Sequence, residues 1–160
     1  MPIATLNPAT GELLRVFDSL EKNEIEERLS RAEKAFRMHR LSSFESRAIS
    51  MRKAGNILLD EKVRFATLMT LEMGKPVTAA IAEAEKCATA CFYYADNAER
   101  LLASYAVPSS GGEATVHFQP LGPVLAVMPW NFPFWQVFRF VAPTLMAGNV
   151  GLLKHSSNVP

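Results

Sequence analysis

The pattern of apolar and polar positions divides the chain into a short extended start, a long helical region and a strand-rich end. Residues 1–17 read as two extended pieces around Asn7-Pro8-Ala9-Thr10-Gly11, a turn sequence that predicts a hairpin. Between Asp18 and Arg40, Ile25, Leu29, Ala32 and Phe36 recur at helical spacing and form one apolar stripe, with Asp18 or Ser19 as the cap. Ser42 with Glu45 has the form of a capping box and opens a second helix to about Leu59. Asp60 is placed to cap a third, which carries Val63, Phe65, Leu68 and Met69 and ends at Gly74 with Pro76 beyond. From Val77 to Leu102, the positions Ile81, Ala84, Ala88, Cys91, Ala95, Ala98 and Leu102 predict one long helix with a single buried seam. Its small seam residues let another element approach closely. Alanines bury little area, so a globular partner is expected in preference to a free coiled coil.

Beyond the helices, Ala103 to Glu113 contains Pro108-Ser109-Ser110-Gly111-Gly112 and reads as a loop. Ala114 to Gln119 alternates, with Val116 and Phe118 on one face and His117 on the solvent side, and predicts a half-exposed strand. Val124 to Met128 is an unbroken apolar run, the pattern of a parallel strand buried on both faces. Its prolines keep Pro129-Trp130-Asn131-Phe132-Pro133 out of ordinary helix. A helix over Phe134 to Met146 follows, stopped near Gly148 and Asn149. Val150 to Leu153 is a second apolar strand that runs into Lys154. Strand, helix and strand make a βαβ unit, and ligands of open α/β sheets bind beyond the carboxyl ends of the strands. Asn131 and Lys154 are the polar outliers at those ends.

Composition narrows the function classes. The length of 160 residues suits one respectable core, and a net charge of +1 gives no electrostatic case for nucleic acid or an anionic membrane. Two cysteines are too few for a disulfide scaffold and suit a reducing, cytoplasmic setting. The start MPIATLNPATGE lacks the basic and apolar regions of a signal peptide. Leu121 to Phe138 is uncharged and reaches the length of a membrane span. Pro123, Pro129 and Pro133 interrupt it, and Asn131 and Gln136 would be awkward in lipid, so no membrane is expected. Cys87 and Cys91 lie one helical turn apart with no His or further Cys nearby, so they read as core residues and no metal is expected. Glu72 reads as a structural partner for a nearby cation, since no second titratable group is placed beside it in the sequence.

Pro129 to Pro133, followed by Ala147-Gly148-Asn149 and Lys154, resembles the aldehyde dehydrogenase superfamily. Thr70 to Pro76 and the early NPATGE stretch are similar to recurring segments of that family. The wording MPWNFPFWQVFRFVAPTLMAGN followed by LKHSSNVP is most similar to its succinate-semialdehyde dehydrogenase branch. The resemblance covers the whole chain but only about the first third of a typical member. It implies an α/β protein: the N-terminal part of an aldehyde dehydrogenase-like fold, with a helical region, an incomplete Rossmann-like parallel sheet and an exposed β-strand. Residues 1–112 would be the extended segment and helical part of the cofactor-binding domain. Residues 113–120 would be the exposed strand of an oligomerisation hairpin, and 121–160 the first βαβ of the dinucleotide-binding sheet.

The same resemblance implies NAD(P)-dependent oxidation of a small aldehyde, succinate semialdehyde, to the acid. The reaction would run through a thiohemiacetal and thioester on a cysteine outside this chain. The Asn131 amide would donate to the oxyanion; on residue chemistry alone, Asn131 could equally cap a helix or close a proline turn. Met128, Pro129, Trp130 and Asn131 would line the nicotinamide-ribose side, although Trp130 also suits core packing. Lys154 would hold the adenosine ribose hydroxyls with His155, Ser156 and Ser157 beside it, the alternative being a surface lysine whose stem lies on apolar surface. Many NAD-preferring members carry Glu where Ser157 stands. A carboxylate there would repel a 2′-phosphate and serine would not, so NADP is expected over NAD. Cys87 and Cys91 do not match the family's nucleophile motif, so the chain alone is expected not to complete turnover. The alternative is a binding or assembly module that keeps part of the nucleotide site. A full-length form is expected to be a homo-oligomer.

Overall fold

The structure, a computed structural model, describes residues 3–160. Its elements are β1 (Ile3–Leu6), β2 (Leu13–Phe17), α1 (Lys22–His39), α2 (Phe44–Asp60), α3 (Lys62–Met73), α4 (Val77–Leu101), β3 (Tyr105–Val107), β4 (Ala114–Val116), β5 (Pro123–Val127), α5 (Trp135–Met146) and β6 (Val150–Lys154).

Helix α4 is the centre of the molecule, because its small seam residues admit neighbours on several sides. α2, α3 and α5 all pack on it. Cys87, Ala88, Cys91, Ala95 and Ala98 of α4 are buried with Ala48, Met51 and Leu58 of α2 and with Ala142 and Met146 of α5. A second cluster joins Ala80 of α4 to Ala66 and Met69 of α3. On α3 the buried positions are Ala66 and Met69, while Val63 and Leu68 are exposed. On α1 only Phe36 of the expected stripe is buried, and Ile25 and Leu29 are about half exposed.

Three helix starts differ from the sequence expectation. α1 begins after Glu21, whose backbone N–H donates to Glu24 Oε2 at 2.7 Å, and neither Asp18 nor Ser19 is the cap. α2 is capped by Ser43, whose hydroxyl accepts from the Ser46 N–H at 3.2 Å, while Ser42 Oγ donates to the His39 carbonyl. A cap residue needs extended backbone so that its oxygen reaches the first free amides. Glu21 and Ser43 have that backbone, with ψ of 162° and 157°. α2 also runs through Asp60, so the junction with α3 falls at Glu61 and Asp60 does not cap α3. α3 ends as expected at Gly74, whose left-handed φ of +73° suits glycine.

The segment read as a loop carries strand β3, which pairs antiparallel with β4 from Tyr105↔Val116 to Val107↔Ala114. Three residues are too short to show a period-two signal. β4 itself stops at Val116, three residues before the expected end. β1 and β2 form the expected antiparallel hairpin, which docks on α3 and donates the Ala4 N–H to the Ser157 carbonyl at 3.3 Å.

β5 and β6 pair in parallel around α5, so the βαβ unit is present. β5 is not buried on both faces as its composition suggested: Ala126 is buried, but Leu125 and Val127 are 63% and 66% exposed. Burial on both faces requires packed layers on both, and the described residues supply only part of that cover. Residues 121–138 form β5, a proline-rich turn and the start of α5; among the described residues no helix is long and apolar enough to cross a membrane.

Candidate functional site

The two parallel strands end side by side. Val127 stands opposite Lys154 in the ladder, and the Met128 N–H donates to the Lys154 carbonyl at 3.1 Å. Pro129 has no N–H to continue the ladder, so the chain leaves the sheet there. It passes through Trp130, Asn131 and Phe132, all exposed, and buries Pro133 before α5 begins. Asn131 and Lys154 thus lie at the same carboxyl edge, on adjoining strands' exits. Lys154 is exposed, and no ion pair to it occurs among the described residues.

The residues after Lys154 fold back under this edge. His155 is half-buried, and its Nε2 lies 3.4 Å from the Pro133 carbonyl oxygen, while its Nδ1 is buried without a partner among the described residues. The Ser156 hydroxyl donates to Asn158 Oδ1, and Ser156 bridges to Val159. Ser157 is exposed, with its carbonyl held by Ala4. Met128 and His155 are therefore tied into the edge by hydrogen bonds; Trp130 faces a cleft shared with Pro8, Glu72 and Val159. Burial raises the Glu72 carboxyl above its usual value, against the lowering effect of the nearby His155 and Arg15.

Two residues that the sequence analysis did not single out fix the turn. Glu83 of α4 is 4% exposed, and its Oε1 accepts the N–H groups of Phe134 at 3.0 Å and Trp135 at 2.9 Å. Its Oε2 is paired with the Lys75 ammonium, which lies 3.9 Å from the Phe132 ring centroid. A signal existed: Glu83 lies three residues after Ala80 and four before Cys87, on the buried face of α4, where a charge needs a partner. His117 is exposed and bonded to Ser104 Oγ at 2.7 Å, away from this edge. Cys87 and Cys91 are buried free thiols. Burial pushes them up to about 12 and about 11, so neither is a ready thiolate.

A strand–helix–strand unit with parallel strands and a polar carboxyl edge defines a protein of the open α/β class. The aldehyde dehydrogenase family model matches residues 1–160, and the chain belongs to that family. It is 52% identical over 160 residues to the Synechocystis protein called "Probable succinate-semialdehyde dehydrogenase (NADP+)", covering all of this chain and 35% of that protein. It is also 52% identical over 163 residues to succinate-semialdehyde dehydrogenase (NADP+) 1 of Mycobacterium tuberculosis, covering 100% of this chain and 36% of the relative. The chain thus spans about a third of the length of these relatives. Among solved structures, it matches succinic semialdehyde dehydrogenase from Streptococcus pyogenes, in complex with NADP+, at a TM-score of 0.94. That match has 36% identity and covers 98% of this chain and 35% of the other.

Proposed function

We propose that this chain is the N-terminal portion of an NADP-dependent aldehyde dehydrogenase that converts succinate semialdehyde to succinate. The observation that carries the proposal is the shared edge: Asn131 and Lys154 leave adjoining parallel strands at their carboxyl ends, joined by the Met128–Lys154 hydrogen bond. The names of the relatives support the substrate and the cofactor.

The residues present fit the dinucleotide. The exposed Lys154 ammonium is free to donate to ribose hydroxyls, with His155, Ser156 and Ser157 completing that wall and Met128, Pro129 and Trp130 lining the nicotinamide-ribose side. Ser157 presents no carboxylate to a 2′-phosphate, which favours NADP over NAD. The bound dinucleotide supplies the hydride acceptor. Asn131 supplies a neutral amide donor to the aldehyde oxygen as it becomes negative, and it does so without exchanging a proton. The thiolate that adds to the carbonyl comes from outside residues 1–160. Cys87 and Cys91 are buried in the helical core with raised pKa values, so they reach no substrate.

In this proposal residues 1–112 form the extended and helical part of the cofactor domain, and 121–160 begin its sheet. The 113–120 strand, with its β3 partner, serves subunit assembly into a homo-oligomer. Buried reduced thiols fit a cytoplasmic protein whose partner is a small aldehyde. A second reading is favoured by those same inaccessible cysteines: an assembly or nucleotide-binding module without turnover.

The test joins this chain to the remainder of the Synechocystis relative and assays NADPH formation with succinate semialdehyde. Asn131→Ala is expected to lower kcat by about 10²–10³. A kcat within about threefold of the parent removes Asn131 from the oxyanion role. The isolated 160-residue chain is expected to produce no NADPH; aldehyde-dependent production by it would overturn the assignment of the nucleophile to another segment.

A further inference from the structure

Glu83 and Lys75, bonded to each other, both contact the turn that carries Asn131. Glu83 Oε1 accepts the first two amides after Pro133, those of Phe134 and Trp135, at 3.0 and 2.9 Å. Glu83 Oε2 is bound to Lys75, and the Lys75 ammonium sits 3.9 Å from the centroid of the Phe132 ring. Phe132 is the residue next to Asn131. Both charged side chains are withdrawn from water, that of Lys75 to 9% exposure and that of Glu83 to 2%, so each depends on the other for a counter-charge. Both are distant in sequence from the turn: Glu83 is 51 residues from Phe134, and Lys75 is 57 from Phe132.

An exposed turn between a strand and a helix would ordinarily be free to reorient. Here its downstream end is fixed by a carboxylate aligned with a helix N-terminus, where negative charge is favoured. Its middle is fixed by a cation on an aromatic face. We propose that the Glu83–Lys75 pair is a positioning device for Asn131, holding its amide where the reacting oxygen will develop charge. This inference rests on the oxyanion role proposed above for Asn131. An oxyanion donor works only if it is already in place, because reorienting it during the reaction would cost barrier height. The pair acts on Asn131 through the backbone amides of Phe134 and Trp135 and through the Phe132 ring.

The experiment uses the joined full-length enzyme, with Asn131→Ala, Glu83→Ala, Glu83→Gln and the double variant Asn131→Ala/Glu83→Ala. Amide hydrogen exchange over residues 130–136 is measured together with kcat, KM for the aldehyde and NADP affinity. Glu83→Ala is expected to speed exchange at Phe134 and Trp135 by about tenfold or more. It is also expected to lower kcat by about tenfold or more, with KM and NADP affinity within about threefold. In the Asn131→Ala background, Glu83→Ala should lower kcat by no more than about twofold further, since the group it positions is gone. Glu83→Gln keeps an acceptor for the two amides and should recover at least about half of the logarithmic loss; it also carries the comparison if the alanine variant does not fold. Unchanged exchange, unchanged kcat, full additivity with Asn131→Ala, or a Gln variant as impaired as Ala would each overturn the inference. If Asn131→Ala itself leaves kcat unaltered, the oxyanion assignment fails first, and that outcome is visible before any Glu83 variant is read.

Discussion

Gly55 on α2 lies directly beneath the Phe92 ring on α4. A Cβ at Gly55 would stand 2.7 Å from Phe92 Cε1 and 2.8 Å from Cζ, closer than carbon atoms approach without displacement. The glycine lets α2 come down onto the small-residue seam. Gly55→Ala would gain about 1 kcal/mol of helix propensity but incur overpacking of about 1–3 kcal/mol. The expected net result is a loss of up to about 2 kcal/mol, read as a lower urea midpoint at unchanged slope. A midpoint above the parent's would mean that the ring swings aside freely and the helices are not in tight register.

The thiols of Cys87 and Cys91 should be silent in the folded protein. Burial raises them from the ordinary value of 9.0 to about 12 and about 11. At pH 8, a thiol reagent should modify neither until denaturant is added. The same shifts set a pH dependence. The folded state binds these protons more tightly than the unfolded state, so their contribution is fully present below pH 9 and declines as pH rises through 11 to 12. Stability followed by urea titration should therefore fall above pH 9. A rise over that window, or rapid labelling at pH 8 without denaturant, would contradict the burial of this pair.

Asn149 sets the entry to the βαβ unit. Its Oδ1 accepts from the Leu121 N–H at 2.6 Å and from the Gly122 N–H at 3.0 Å, tying the chain before β5 to the turn before β6. Asn149→Ala leaves the buried Gly122 amide without that partner and should cost about 1–3 kcal/mol in a thermal or urea melt. Asn149→Asp keeps the acceptor and should retain most of the stability. Equal losses in the two variants would show that this oxygen is not what organises the turn.

In the function proposed above, cofactor choice rests on Ser157. In the joined full-length enzyme, the ratio of kcat/KM for NADP to that for NAD should favour NADP. Ser157→Glu should move the ratio toward NAD by about tenfold or more, because a carboxylate repels a 2′-phosphate and accepts from a 2′-hydroxyl. A parent enzyme that strongly prefers NAD would remove Ser157 from that role.

Several features were legible in the order of residues because they depend on near neighbours. Gly74 marks the end of α3 by its left-handed backbone, and Gly148 with Asn149 marks the end of α5. The seam from Ala84 to Ala98 is visible because 3.6-residue periodicity maps directly onto one helix face. Caps were less legible. Ser42 and Ser43 have the same chemistry, and only backbone direction decides which oxygen reaches an amide. Strand β3 escaped notice because three residues carry no period, and its existence depends on β4 lying alongside it.

The sequence by itself determined the helix order, the βαβ unit with Asn131 and Lys154 at its strand ends, and the family to which those residues point. These follow from local periodicity, proline and glycine geometry, and a motif of adjacent residues. Only the tertiary structure decided that Glu83 and Lys75 hold the turn at Phe132 to Trp135, that Gly55 admits Phe92, and that half of β5 stays exposed. Each of these is a contact between segments far apart along the chain. Its energy depends on distance and on exclusion of water, and neither quantity is set by the spacing of residues in the sequence.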